Sequence, residues 1–262
     1  MSLPIFHVDA FTITTFAGNP AAVCPLADWL DDALLREVAA ENNLSETAYF
    51  VPRGDHYELR WFTPRCEVKL CGHATLASAF VLMQILAPGS EIVRFETRFS
   101  GSLAIRREGA LLAMDFPALA PWVCAPPPAA LREGLGEDPA VVMQIDDNYF
   151  AVYEREEDVR RLRPDFRLLE KLHPAGVAIT APGREFDFVS RYFAPSYGIP
   201  EDPVTGSTHC SLAPYWAKRL GKTSLHAHQA SERGGELWCE TKEDRVILKG
   251  NAVLTLQGEL FV

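Results

Sequence analysis

Two stretches of this chain follow one plan, and a duplicated plan restricts the fold more than any single motif. "LRWFTP" (59–64) leads into "LCGHATLASAFVL" (70–82), and "SRYFAPSYGIPEDPVTGSTHCSLAPYW" (190–216) repeats the layout. Arg60, Phe62 and Pro64 match Arg191, Phe193 and Pro195. Gly72 and Gly206 stand 134 residues apart, as do Gly101 and Gly235, which open "GSLAIRREGALLAMDF" and "GELWCETKEDRVILKG". Few residues are identical. The argument rests on the recurring order of strand, proline turn, glycine turn, apolar helix and later hairpin.

Both halves are rich in short strands with partial alternation and β-branched or aromatic content: 5–12, 47–52, 57–63, 102–116, 176–182, 186–193 and 245–262. Helical spacing is clearest over 29–43, 73–86 and 207–220. The last two segments are apolar nearly all round, so each is expected to be wrapped by its own sheet, with Pro214 free to kink the second. The fold class read from this is α+β, with two pseudo-symmetric halves, each a curved, mostly antiparallel sheet around a central helix. The segment 116–136 carries Pro126, Pro127 and Pro128, which fit neither a sheet nor a helix interior, and reads as the crossover. The halves are therefore placed at 1–118 and 119–262.

Composition excludes several partners. A net charge of −10 argues against a nucleic-acid binder, and the basic residues of 155–167 are interleaved with acids, as on a solvated helix face. No apolar run approaches the about 20 residues that span a bilayer. "MSLPIFHVDAF" has no basic segment ahead of an apolar one, so no secretory signal is expected and the six scattered cysteines read as free thiols in a reducing cytoplasm.

The two glycine turns carry the chemistry. A helix N-terminus presents unpaired N–H groups and partial positive charge, and a glycine ahead of it lets a ligand reach the backbone. "CGHAT" and "TGSTH" build that device twice, suited to a carboxylate; ordinary caps, with Ser207 or Thr208 capping, would look the same. In "NNLSETAYF", Glu46 lies between a helix and an apolar strand, where partial burial would fit an acid/base catalyst, although a surface glutamate is the ordinary case. Asp202 in "PEDPVTG" is either a site residue or a turn former. A metal site would draw on Cys66, Cys71, His73, His209, Cys210, His226 and His228. However, C-x4-C-x-H is not a zinc spacing, and "HAH" (226–228) on a strand puts both rings on one face, as in a surface pair. Neither a P-loop nor G-x-G-x-x-G is present.

"GNPAAV" (18–23), "NLSETAYF", "RWFTPRCEVKLCGHATL" and "YFAPSYGIPEDPVTGSTHCSLAPYW" together resemble the phenazine-biosynthesis PhzF-like family, which shares its fold with diaminopimelate epimerase. The resemblance runs essentially end to end. It implies an active site in a cleft between the halves, a homodimer, and a cofactor- and metal-free isomerase. The family's best-studied members relocate a proton on a dihydro-hydroxyanthranilate by means of a glutamate. Carried over by motif, that glutamate is Glu46, with His73 and Asp202 holding or polarising the substrate. Gly72, Gly206 and Ser207 would bind its carboxylate, with Asn19 near the cleft. The epimerases use a cysteine at each helix mouth; this chain has Cys71 at the first but Thr205 at the second, so two-thiol racemisation is not expected. A single-thiol epimerase using Cys71, and a binding protein without turnover, are the alternatives. The substrate is not read from the sequence.

Overall fold

A computed structural model describes residues 1–145, 148–172 and 176–262. It divides into two compact units, Met1–Asp115 with Lys249–Val262, and Phe116–Leu248. The residues from Lys249 onward, placed above with the second half, group with the first unit. The C-terminal strand Ala252–Phe261 pairs antiparallel with the first strand, from Ser2↔Phe261 to Ala10↔Ala252.

The first unit runs β1 (Ser2–Ala10), β2 (Asn19–Pro25), α1 (Asp32–Asn42), β3 (Glu46–Arg53), β4 (His56–Phe62), β5 (Glu67–Val68), α2 (Gly72–Val81), β6 (Ile92–Thr97), β7 (Gly101–Glu108) and β8 (Leu111–Pro117). β1 pairs antiparallel with β2, β2 parallel with β3, β3 antiparallel with β4, β4 parallel with β6, and β6 antiparallel with β7. α2 packs against β1, β2, β3 and the C-terminal strand, as its apolar circumference requires. Its polar residues bond within the helix, Thr75 Oγ1 to Cys71 O at 2.6 Å and Ser78 Oγ to Ala74 O at 2.8 Å, so they bring no unpaired hydroxyl into the core. On a second cluster Leu35, Val38 and Ala39 of α1 pack with Ala22, Cys24, Tyr49 and Phe62. Both faces of β2 are thus covered, and Ala21 to Cys24 are all buried.

The second unit runs β9 (Trp122–Val123), α3 (Ala129–Leu135), β10 (Val141–Ile145), β11 (Asn148–Val152), α4 (Glu156–Arg161), α5 (Phe166–Leu169), β12 (Gly176–Pro182), β13 (Phe188–Ala194), β14 (Ile199–Asp202), α6 (Gly206–Leu220), β15 (Ser224–Gln229), β16 (Gly235–Lys242) and β17 (Arg245–Gly250). Its pairing has the same senses in the same order: β10–β11 antiparallel, β11–β12 parallel, β12–β13 antiparallel, β13–β15 parallel, β15–β16 antiparallel. The duplication read from the sequence is a duplication of topology. Among the described residues no helix is long and apolar enough to cross a membrane.

The matched residues of the repeat now have a purpose. Arg60 clamps Glu67 through Nε–Oε1 and Nη2–Oε2, both 2.8 Å, with its guanidinium 5.0 Å from the Phe62 ring centre. Arg191 clamps Glu201 at 2.7 and 2.9 Å, 4.9 Å from the Phe193 ring. Each clamp ties the strand before the turn to the short strand leading into the central helix, and paired N–H···O bonds fix direction as well as distance. The glutamates are also 134 residues apart, a match the repeat contained but that sequence reading did not use.

Pro214 lies inside α6 and leaves the Cys210 carbonyl without its helical donor. That carbonyl accepts from the backbone N–H of Leu119 at 3.0 Å instead. α6 differs from expectation at its far end, where Lys218, Arg219 and Leu220 are exposed. Its buried residues include the run Thr208 to Ala213 and Trp216, so the burial is concentrated toward the start of the helix.

Candidate active site

Three elements converge at the mouth of α2. The α1 C-cap, Asn43, adopts a left-handed conformation (φ 49°), turning the chain so that Glu46 is the first residue of β3. It lies in register with Ala21 of the parallel strand β2. Asn19, expected in a turn, is the fully buried first residue of β2. The turn itself is held by Gly18, at φ +64°, where a Cβ would come within 2.2 Å of the Ala10 carbonyl oxygen. Cys71 is the N-cap of α2, Gly72 begins the helix, and His73 points back toward β3.

His73 Nε2 lies 3.2 Å from Glu46 Oε2, with side chains only 7% and 12% exposed. The approach is oblique, so this buried carboxylate oxygen has an ionic neighbour but no hydrogen-bond donor. The Cys71 sulfur is 3.5 Å from His73 Nδ1 and 3.9 Å from Nε2. Burial opposes a charged imidazole at His73, yet the adjacent Glu46 carboxylate favours the cation, and the His73 pKa lies well above the usual value. Burial, and then the Glu46 charge, push the Cys71 thiol upward, which leaves it a protonated and poor nucleophile.

The mouth of α6 is built from other chemistry. Thr205 is the N-cap, but its hydroxyl donates to Asp202 Oδ2, and Gln229 Oε1 accepts from its N–H at 2.8 Å. Gln229 Nε2 donates to Asp202 O, also at 2.8 Å. Asp202 is thereby fixed at the end of β14. Neither Ser207 nor Thr208 caps the helix as the sequence allowed: Ser207 is exposed, Thr208 is buried, and neither N-cap side chain, Cys71 or Thr205, caps its own helix. Gln229, fully buried, was missed by sequence reasoning because it lies far along the chain in β15 with no motif around it. His209 donates from Nδ1 to Thr205 O at 2.8 Å and packs against Phe188; burial lowers its pKa to about 4, so it stays neutral.

The residues weighed as metal ligands separate. Phe186 lies against both His226 and His228, with ring centres 4.9 and 4.8 Å away, and His226 also stacks on Trp238. Cys66 is exposed, and burial drives Cys210 up to about 12. The group that does converge includes a residue outside that set: ligating atoms of Glu46, Cys71 and His73 all lie within 4.8 Å of one another.

These features define a class: a duplicated α+β fold with a polar turn at the mouth of each central helix. The family model for phenazine biosynthesis-like proteins, PhzC-PhzF, matches residues 8–258, and the chain belongs to that family. A Pseudomonas aeruginosa protein named as an uncharacterized isomerase is 55% identical over 260 residues, covering 99% of each chain. A crystal structure of a PhzF-family protein from Enterococcus faecalis is 46% identical, covers 100% of both chains and superimposes with a TM-score of 0.96. A hydroxyproline epimerase from Agrobacterium vitis shares the fold at 11% identity, with a TM-score of 0.63 over 99% of this chain and 92% of its own.

Proposed function

We propose that the protein is a cofactor- and metal-independent isomerase that moves a proton between carbons of a small carboxylate-bearing substrate, with Glu46 as acid and base. The observation that carries this reading is the Glu46–His73 contact at the mouth of α2: a nearly buried carboxylate, with one oxygen lacking a donor, beside an imidazole held in its cationic form. Glu46 takes a proton from carbon and returns it to another carbon of the same molecule. The charge that develops on the substrate is met by the backbone amides that open α2 behind Gly72. Protonated His73 donates to a substrate oxygen. On the family resemblance, Asp202 holds a substrate amino or hydroxyl group, Gly206 and Ser207 contribute to carboxylate binding, and Asn19 supports the same site. The raised Cys71 thiol disfavours the single-thiol alternative.

The test is incubation with cyclic and amino-acid-like carboxylates in D₂O, read by mass spectrometry. Deuterium is expected at carbon for the true substrate, unaffected by chelator and lost in Glu46→Gln. Full exchange in Glu46→Gln would overturn the mechanism, and a protein that binds such carboxylates with no exchange in any of them would be a binding protein instead.

A further inference from the structure

The Glu46, Cys71 and His73 cluster offers one carboxylate oxygen, one sulfur and one imidazole nitrogen within 4.8 Å of each other. A tetrahedral ion with bonds of about 2.0 Å to nitrogen and oxygen and about 2.3 Å to sulfur separates its ligands by about 3.3 Å (N–O) and about 3.5 Å (N–S). His73 Nε2 lies 3.2 Å from Glu46 Oε2 and 3.9 Å from the Cys71 sulfur. The nitrogen–oxygen edge matches such a polyhedron and the nitrogen–sulfur edge is about 0.4 Å longer, so a small movement of the Cys71 side chain would complete the set. We infer that these three residues form a binding site for a borderline-soft divalent ion, Zn²⁺ by chemistry, whose occupation shuts off the isomerase.

Three arguments support the site. Mixed sulfur, nitrogen and oxygen donors select Zn²⁺ or Co²⁺ over Mg²⁺ and Ca²⁺, which take oxygen. One thiolate and one carboxylate balance the ion's charge, so a neutral complex forms where burying a net charge would be costly. The buried Glu46 oxygen without a donor gains a strong partner. The positive end of α2 opposes a cation, but with about half an elementary charge against two full negative charges from the ligands. Binding converts the Cys71 thiol to a thiolate and His73 to a neutral ligand, and the released protons pass to solvent. Three protein ligands leave the fourth position to water.

Metal binding rests on this geometry alone; inhibition rests in addition on the role proposed for Glu46. The full-length protein is titrated with Co²⁺, following the near-ultraviolet thiolate-to-cobalt charge-transfer band, and then with Zn²⁺ in competition. One ion per chain is expected, with the band kept in Cys66→Ser and lost in Cys71→Ser. Affinity should fall by more than about tenfold in Glu46→Gln. No stoichiometric binding, a band that survives Cys71→Ser, or undiminished affinity in both Glu46→Gln and His73→Gln would overturn the site. Carbon–deuterium exchange that stops in proportion to bound Zn²⁺ and returns with chelator supports the inhibitory role; exchange that continues at full occupancy refutes it. Failure of the isomerase reading itself has a different signature, exchange in metal-free Glu46→Gln.

Discussion

The two helix mouths share a scaffold and differ in almost every group that could do chemistry. Both are aimed by an Arg–Glu clamp ahead of the glycine. Position for position along the repeat, however, Cys71 corresponds to Thr205, His73 to Ser207 and Thr75 to His209. Even the bond from the first turn back to the N-cap carbonyl is kept with different atoms, Thr75 Oγ1 in one unit and His209 Nδ1 in the other. The carboxylate has no counterpart. Thr47 pairs with Phe62 and Val177 with Phe193, which sets Gly176 where the first unit has Glu46. A Cβ on Gly176 would lie 2.0 Å from the Tyr192 hydroxyl oxygen. The duplicated frame survives because pairing and burial require it; the side chains at its mouths have diverged because neither requirement dictates them.

The sharpest way to break this comparison is through activity. Glu46→Gln is expected to cost about 10²- to 10⁴-fold in carbon–hydrogen exchange, the usual contribution of a positioned acid/base group, whereas a fall below threefold would remove the asymmetry between the mouths. The clamps come next. Arg191 also donates to the Val159 and Leu162 carbonyls, at 3.1 and 2.7 Å, and its side chain is 8% exposed. Arg191→Ala should therefore destabilise by about 3–5 kcal/mol. In Arg60→Ala the orphaned Glu67 keeps Arg98 at 3.0 Å, so a smaller loss of about 1–2 kcal/mol is expected. Urea denaturation of both variants decides; equal losses would mean the clamps carry equal loads.

The two histidines should have opposite pH signatures. His209 has its folded pKa lowered to about 4 from 6.5, so its stabilisation is complete above pH 6.5 and lost as pH falls toward 4. The loss is about 3 kcal/mol, and denaturation midpoints from pH 4 to 7 should flatten in His209→Gln. His73 has its pKa raised, so its contribution is complete below pH 6.5 and fades as pH rises through the folded value. The difference between wild type and His73→Gln should accordingly narrow on the alkaline side. Gly176→Ala should cost about 1–3 kcal/mol from overpacking against Tyr192; a neutral result would show that Tyr192 moves aside at no cost.

Much of the fold was legible along the chain. Strand alternation, the apolar turns of α2 and the repeat around Gly72 and Gly206 are local patterns with a period or a spacing, and they describe two α+β units correctly. Strand β2 was not among the expected strands, since "NPAAVCP" shows no alternation, being buried on both faces. The placement of Ala252–Phe261 was not legible, since nothing in that strand names β1 as its partner. In the site, Glu46 and His73 were singled out through family resemblance as much as through their chemistry.

By itself the sequence determined which segments could be strands and helices, that the plan occurs twice, and which residues carry ionisable groups near the glycine turns. Backbone sterics and hydrophobic periodicity act over a few residues and leave their mark there. Only the tertiary structure decided that Glu46 meets His73 and Cys71, that Gln229 anchors Thr205 and Asp202, and that Arg60 and Arg191 hold Glu67 and Glu201. Such contacts depend on strand register and on burial, which raises the worth of a charge or hydrogen bond. Neither is written in any one stretch of the chain.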